Sequence, residues 1–423
     1  MSVEQSRLAN GLTVVTHRMP HLESVALGVW FEAGSRSEAP HEHGISHLLE
    51  HMAFKGTARR SARDIAETIE AVGGDMNAAT SVDHTGYYVR LLKEHTELGV
   101  DILGDILCHS AFDPQELARE QHVIVQEIGA ARDDPEELAF DLFQEAAYPG
   151  QPIGRTILGS AETVRSFTPA DLRRFLATHY RGARAVLSAA GNLDHGQIVA
   201  WAEEHLAELP AEAPPSPAPG TYRGGRRVEK RKLEEVQLLL GFEGLAFRDP
   251  ELFAARLLAG ILGGGMASRL FQEVREARGL CYAIQAFDWP FADSGIFGIQ
   301  AAAGEADVGQ LVSVVLDELR RVDRGIAPAE LARAKAQLRA SLLMSLESPA
   351  ARAGQMARHV LIHGRPLGLE EVVERIEAVS ARQVADLARS VFATPPTVAG
   401  VGPAGALPRP EDVARQLAGT ATV

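Results

Sequence analysis

Short apolar runs rich in β-branched and aromatic residues punctuate the first half of the chain, at Thr13–His17, Val25–Phe31, Tyr87–Leu92 and Val186–Ala190, and they predict strands. Longer stretches in which apolar residues recur three and four positions apart, Ala62–Val72, Thr96–Cys108 and Pro114–Ala131, predict helices. Asn10-Gly11, set between apolar runs, predicts a hairpin turn that ties the N-terminus into the fold. The irregular alternation of the two element types describes an α+β domain of about 200 residues, a usual domain size.

The second half repeats this order. Val236 opens "VQLLLGFEG", which parallels "VALGVWFEAG" from Val25, and "CYAIQAFDWPFADSGIFGIQAAAG" supplies strands where "MNAATSVDHTGYYVRLL" did. Between the halves runs "LPAEAPPSPAPG", with five prolines in twelve residues and almost no large apolar side chain, the composition of a semi-rigid extended linker. The expected organisation is an N-terminal domain over residues 1–208, a Pro/Gly-rich linker over 209–224 and a homologous C-terminal domain over 225–423.

Composition narrows the class. Over 423 residues, 46% hydrophobic and 23% charged, the chain can bury sizeable cores. A formal net charge of −14 disfavours sequence-independent binding to nucleic acid or to anionic membranes. The longest apolar stretch, Phe253 to Ala267, is broken by Arg256 and three consecutive glycines and is too short to span a bilayer. The first residues lack the features of a signal peptide, and Cys108 and Cys281 lie too far apart in sequence to suggest a disulfide framework, so a reducing cytoplasm is the expected location and both cysteines read as small buried residues.

The chemistry is concentrated in "HGISHLLEHMAFKGT", residues 43 to 57. At about 100° per residue on a helix, His47, Glu50 and His51 share one face while Ile45, Leu48, Leu49 and Met52 share the other. Imidazoles one turn apart can hold one tetrahedral Zn²⁺, with the glutamate beside them free to reach a water on the metal, and the order His-x-x-Glu-His is the inverse of the common zinc-protease motif. A solvated helix face would carry the same residues. Two histidines need a third ligand, and "ELAREQHVIVQEIGAARDD" offers Glu120 and Glu127, two helical turns apart on one face, with His122 turned elsewhere; spacing favours one of this pair without choosing between them. His41 and His43 read as loop residues, His84 carries no derivable role, and the glycines at 263–265 lack the Gly-Lys-Ser/Thr ending of a phosphate-binding loop.

His47-x-x-Glu50-His51 followed by Glu127 resembles the pitrilysin-type (M16) zinc peptidases, and the single-chain length resembles their processing-peptidase branch. The likeness extends through "GSRSEAPHEHGISHLLEHMAFKGTARR", "GGDMNAATSVDHTGYYVRLL", "QPIGRTILGS", "VLSAAGNLDH" and "LGGGMASRLFQEVREARGLCYAI". It implies two similar α/β-roll domains, each a mixed or antiparallel sheet flanked by helices, in a clamshell-type metallopeptidase fold. It implies one Zn²⁺ per chain held by His47, His51 and Glu127, with Glu50 as general base and Glu120 as a supporting carboxylate. Asn77 and Ala78 match the family's substrate edge strand, and Arg275 and Tyr282 match a pair in the second domain that holds substrate and stabilises the developing oxyanion. The expected activity is metalloendopeptidase cleavage of extended, unfolded peptides, targeting-sequence-like segments among them, by a homodimer whose active sites are completed by the partner chain. An inactive scaffold of the same fold, or one active subunit of a heterodimer, are the alternatives.

Overall fold

The computed structural model describes residues 3–322 and 324–419. In the N-terminal half the chain forms β1 (Val3–Arg7), β2 (Thr13–Arg18), β3 (Ser24–Phe31), α1 (Ile45–Met52), α2 (Ala62–Glu70), β4 (Asp75–Thr80), β5 (Thr85–Leu92), α3 (Thr96–Cys108), α4 (Pro114–Asp133), α5 (Pro135–Ala147) and, after further helices, β6 (Ala185–Gly191). The C-terminal half supplies β7 (Gly225–Lys230), β8 (Glu235–Glu243), β9 (Ile284–Pro290), β10 (Gly295–Gly304) and β11 (Thr397–Gly402). The Asn10-Gly11 turn closes the β1–β2 hairpin: Gly11 has φ 87°, a value that L side chains rarely adopt, and Asn10 Oδ1 accepts from Leu12 N at 3.1 Å.

Each half builds one sheet, and the two sheets share a plan. The first has strand order β1-β2-β6-β3-β5-β4 and the second β7-β11-β8-β10-β9. Setting aside β1, the strands correspond one to one. β2 runs parallel to β6 as β7 runs parallel to β11, and every further pairing is antiparallel in both sheets. The repeat seen in the sequence is therefore a duplicated α+β roll. The central strands are almost wholly apolar because both faces are covered: every residue of β6 is buried, and β3 is buried at Val25–Val29 and Phe31.

The compact units depart from the expected division at residue 208. One comprises residues 1–128, 156–218 and 343–367, the other 129–155, 219–342 and 368–423. In the first unit, α3 and helix His195–His205 cover one sheet face, and helix Pro349–His363, encoded in the other half, covers the opposite face. Its stripe Ala353, Met356, Ala357 and Val360 packs on Val15, Met19, Val186 and Ala190, and Ser188 Oγ donates to Ala353 O at 2.7 Å. In the second unit the matching position is filled by α5, encoded in the first half, whose Phe143 presses so closely on Gly241 that a Cβ there would sit 2.2 Å from the ring. The halves thus exchange one helix each. The Pro-rich stretch carries no helix or strand. Cys108 and Cys281 are both free and only partly buried, which corrects the reading of both as buried.

Candidate metal centre

Helix α1 is short, and its start is fixed by side chain and backbone together. Gly44 at the N-cap has φ 95°, and the buried carboxylate of Glu38 accepts from Gly44 N and Ser46 N, each at 2.9 Å, filling donors that open the helix. Ile45, Leu48, Leu49 and Met52 bury the inner face, which leaves His47, Glu50 and His51 half-buried on the outer one.

The two imidazoles meet edge to face, 4.7 Å between centroids. Across from them α4 presents Glu120 and Glu127. Glu127 Oε2 lies 3.8 Å from His47 Nε2 and 3.7 Å from His51 Nε2. Among the described residues, His47, His51 and Glu127 form a group whose ligand atoms all lie within 4.8 Å of one another. Glu120, two turns earlier, takes a different position: its Oε2 accepts from His51 Nδ1 at 2.9 Å and its Oε1 from Lys55 Nζ at 2.7 Å. His122 is exposed and turned to Gln126. The spacing alone left Glu120 and Glu127 equivalent; the geometry separates them.

Burial at His47 and a hydrogen bond at His51 leave each ring a nitrogen lone pair to offer. Burial, then the neighbouring His51, lowers the His47 pKa to about 4, so the imidazole is neutral with a lone pair available. A carboxylate at Nδ1 makes that nitrogen of His51 the donor and leaves Nε2 as the free lone pair facing Glu127. Burial pushes the Glu120 carboxyl up, but the hydrogen bonds from Lys55 and His51 outweigh it and hold the group below the usual range. His47 lacks such support: its Nδ1 is buried without a hydrogen-bond partner. Two imidazole nitrogens and one carboxylate, its side chain 41% exposed, suit a tetrahedral Zn²⁺ that keeps one position open. Lys55 was not anticipated; its signal was a lysine four residues beyond His51, meaningful only once Glu120 is known to lie opposite.

Glu50 stands on the same face of α1 as His47 and His51, and its charge reaches two fully buried phenols, Tyr87 and Tyr180, whose hydroxyls share a 2.9 Å hydrogen bond. β4, which holds Asn77 and Ala78, is the outermost strand of its sheet and packs beside α1. Ala78 is buried, Asn77 is exposed, and Asn77 Oδ1 accepts from Ala78 N at 2.8 Å. In the second unit, the Arg275 guanidinium lies 5.1 Å from the Tyr282 ring. Arg275 sits in a π-helical turn, Phe271–Glu276, and Tyr282 stands two residues ahead of β9. His41 is exposed beside Glu42, His43 Nε2 bonds Thr156 O, and His84 Nδ1 bonds Ser81 Oγ in the β4–β5 turn, so none of the three joins the cluster.

The sequence profile described as "Insulinase (Peptidase family M16)" matches residues 13–161, and that described as "Peptidase M16 inactive domain" matches 166–338. A protein from Rickettsia bellii (strain RML369-C) named "Uncharacterized zinc protease" is 38% identical over 94% of this chain and 97% of its own length. The chain belongs to peptidase family M16. A Bacillus subtilis (strain 168) member, "Uncharacterized zinc protease YmxG", is 36% identical over 94% of this chain and 98% of its own. A solved protease from Helicobacter pylori superposes on this M16 chain with a TM-score of 0.88 at 22% identity, covering 95% of this chain and 99% of its own, which shows the shared fold. The second profile's description has a structural counterpart. The helix of the second unit that corresponds to α1, Leu252–Gly263, reads LFAARLLAGILG and offers no histidine or carboxylate.

Proposed function

We propose that the chain is a zinc-dependent endopeptidase of extended, unfolded peptides. The observation that carries this reading is the convergence of His47, His51 and Glu127, with Glu50 beside them and an outer strand, β4, running past the same helix. Zinc bound there would act as a Lewis acid toward the scissile carbonyl and make water a nucleophile at neutral pH. Glu50 takes the proton of the attacking water and returns it to the leaving amine. Glu120 keeps His51 in the ligating tautomer. A substrate adds to β4 through main-chain hydrogen bonds, and Asn77 turns aside to free the N–H of Ala78 that it occupies. Arg275 and Tyr282 hold the substrate and stabilise the oxyanion.

The active form in this reading is a cytoplasmic homodimer in which each chain's Arg275 and Tyr282 complete the partner's site. Mixing His47→Ala with Arg275→Ala chains then recovers part of the activity in verified mixed dimers, and no recovery removes the shared site. The acidic chain favours basic substrates such as targeting-sequence-like segments; equal cleavage of matched acidic and basic peptides removes that preference. The deciding experiment is mass spectrometry of an unstructured peptide mixture after incubation with the parent protein and with Glu50→Gln, both zinc-loaded. Cleavage by the parent alone supports the reading. Equal cleavage by both refutes the role of Glu50, and cleavage by neither favours an inactive scaffold.

A further inference from the structure

Arg275 is placed by more than its own backbone. Its guanidinium carbon lies 4.6 Å from the centroid of the Phe271 ring as well as 5.1 Å from that of Tyr282. Among the described residues its one ion-pair approach is long, 3.9 Å from Nε to Glu276 Oε1. Aromatic faces attract a guanidinium without engaging its N–H donors strongly. The rings therefore fix where the group sits and leave its donors for another acceptor.

The backbone explains how two rings reach one cation. In the π-helical turn Phe271–Glu276, Ala277 N reaches back to Gln272 O at 2.9 Å, the five-residue step of a π-turn, a form enriched at functional sites. The chain then reverses at Gly279, φ 62°, with Gly279 N bonded to Arg275 O and Leu280 N to Val274 O. Val274 and Leu280 are buried and anchor both limbs. The reversal brings Tyr282 back over the guanidinium, with 81% of its surface still exposed. Tyr282 is thus the exposed contact, and Phe271 the one held within the turn.

We propose that Phe271 is a positioning residue that holds the Arg275 guanidinium in its substrate-facing pose, ahead of substrate binding. This rests on the role given to Arg275 above. A ring contributes here through its face, so shape alone does not replace it.

The test compares Phe271→Leu, Phe271→Tyr, Arg275→Ala and the double variant Phe271→Leu/Arg275→Ala in zinc-loaded full-length protein. Two readouts are taken: kcat/KM on one unstructured peptide, and the proton shift of the Arg275 Nε–H, assigned by its loss in Arg275→Lys. The expected result is a ring-current-shifted Nε–H in the parent that moves to the ordinary position in Phe271→Leu and stays in Phe271→Tyr. With it, kcat/KM falls about fivefold in Phe271→Leu and recovers in Phe271→Tyr, and Phe271→Leu adds nothing on the Arg275→Ala background. An unshifted Nε–H in the parent, parent-like cleavage by Phe271→Leu beside a damaged Arg275→Ala, or an equal further loss in the double variant each overturns the proposal. Parent-like cleavage by Arg275→Ala removes the role of Arg275 itself, and the positioning role with it, while the shift still reports whether the contact exists.

Discussion

Replacing Glu120 by Gln removes one negative charge and almost no volume, which makes it a clean probe of how the centre is held. The carboxylate accepts from His51 Nδ1 at 2.9 Å and from Lys55 Nζ at 2.7 Å, with its side chain only 8% exposed. An amide oxygen can still accept from His51, so the ring keeps its orientation and loses the charge-assisted part of the bond. Hydrogen bonds to charged groups contribute about 1.5–3 kcal/mol and neutral ones about 0.5–1.5. The difference of about 1–1.5 kcal/mol corresponds to an about fivefold to thirteenfold weaker zinc affinity, at or just below the low end of what outer ligand partners contribute. Glu120→Ala, which also frees the ring, should approach about a hundredfold. The assay is competition with a chromophoric zinc chelator at pH 7.5, with circular dichroism to confirm folding and His51→Ala as the reference for a lost ligand. Affinity within twofold of the parent for Glu120→Gln, beside a large loss in His51→Ala, would refute the argument that the carboxylate's charge supports the site.

Gly44→Ala should cost about 1–2 kcal/mol and weaken zinc binding, because the residue needs φ 95° and a Cβ would lie 2.8 Å from Gly159 Cα; thermal unfolding and chelator competition read both effects. Burial, then the charge of Arg358, lowers the His84 pKa to about 4, so the unfolded chain takes up a proton below pH 6.5 that the folded chain refuses. Stability therefore falls from this group as pH drops from 6.5 to 4, by at most about 1.4 kcal/mol per unit, and is unaffected above 6.5; denaturant titrations should show a flatter profile for His84→Asn. Zinc at about 100 times its Kd should raise stability by about 2.7 kcal/mol, a gain that a chelator reverses and that is absent in His51→Ala.

The histidine helix was legible because its period places Ile45, Leu48, Leu49 and Met52 on one side whatever the sheet beneath. Thr96–Cys108 and the Asn10-Gly11 turn were legible for the same reason, since their signals are local. The partner of helix Pro349–His363 was not: Ala353, Met356, Ala357 and Val360 declare a buried face, but any apolar sheet could receive it. Lys55 escaped notice because a salt bridge to Glu120 is long-range, and the π-turn did because one added residue per turn leaves no mark in composition.

The exchanged helices set the order in which the molecule can be finished on the ribosome. Val15, Met19, Val186 and Ala190 are synthesised early, yet the helix that shields them, Pro349–His363, emerges only after most of the second sheet's strands have been made. During that interval the nascent chain carries an uncovered apolar sheet face, the kind of surface that recruits chaperones or misassociates. An isolated N-terminal fragment would remain permanently in that condition, while also carrying α5 with no sheet of its own to cover. The first domain to be encoded is therefore among the last to be complete.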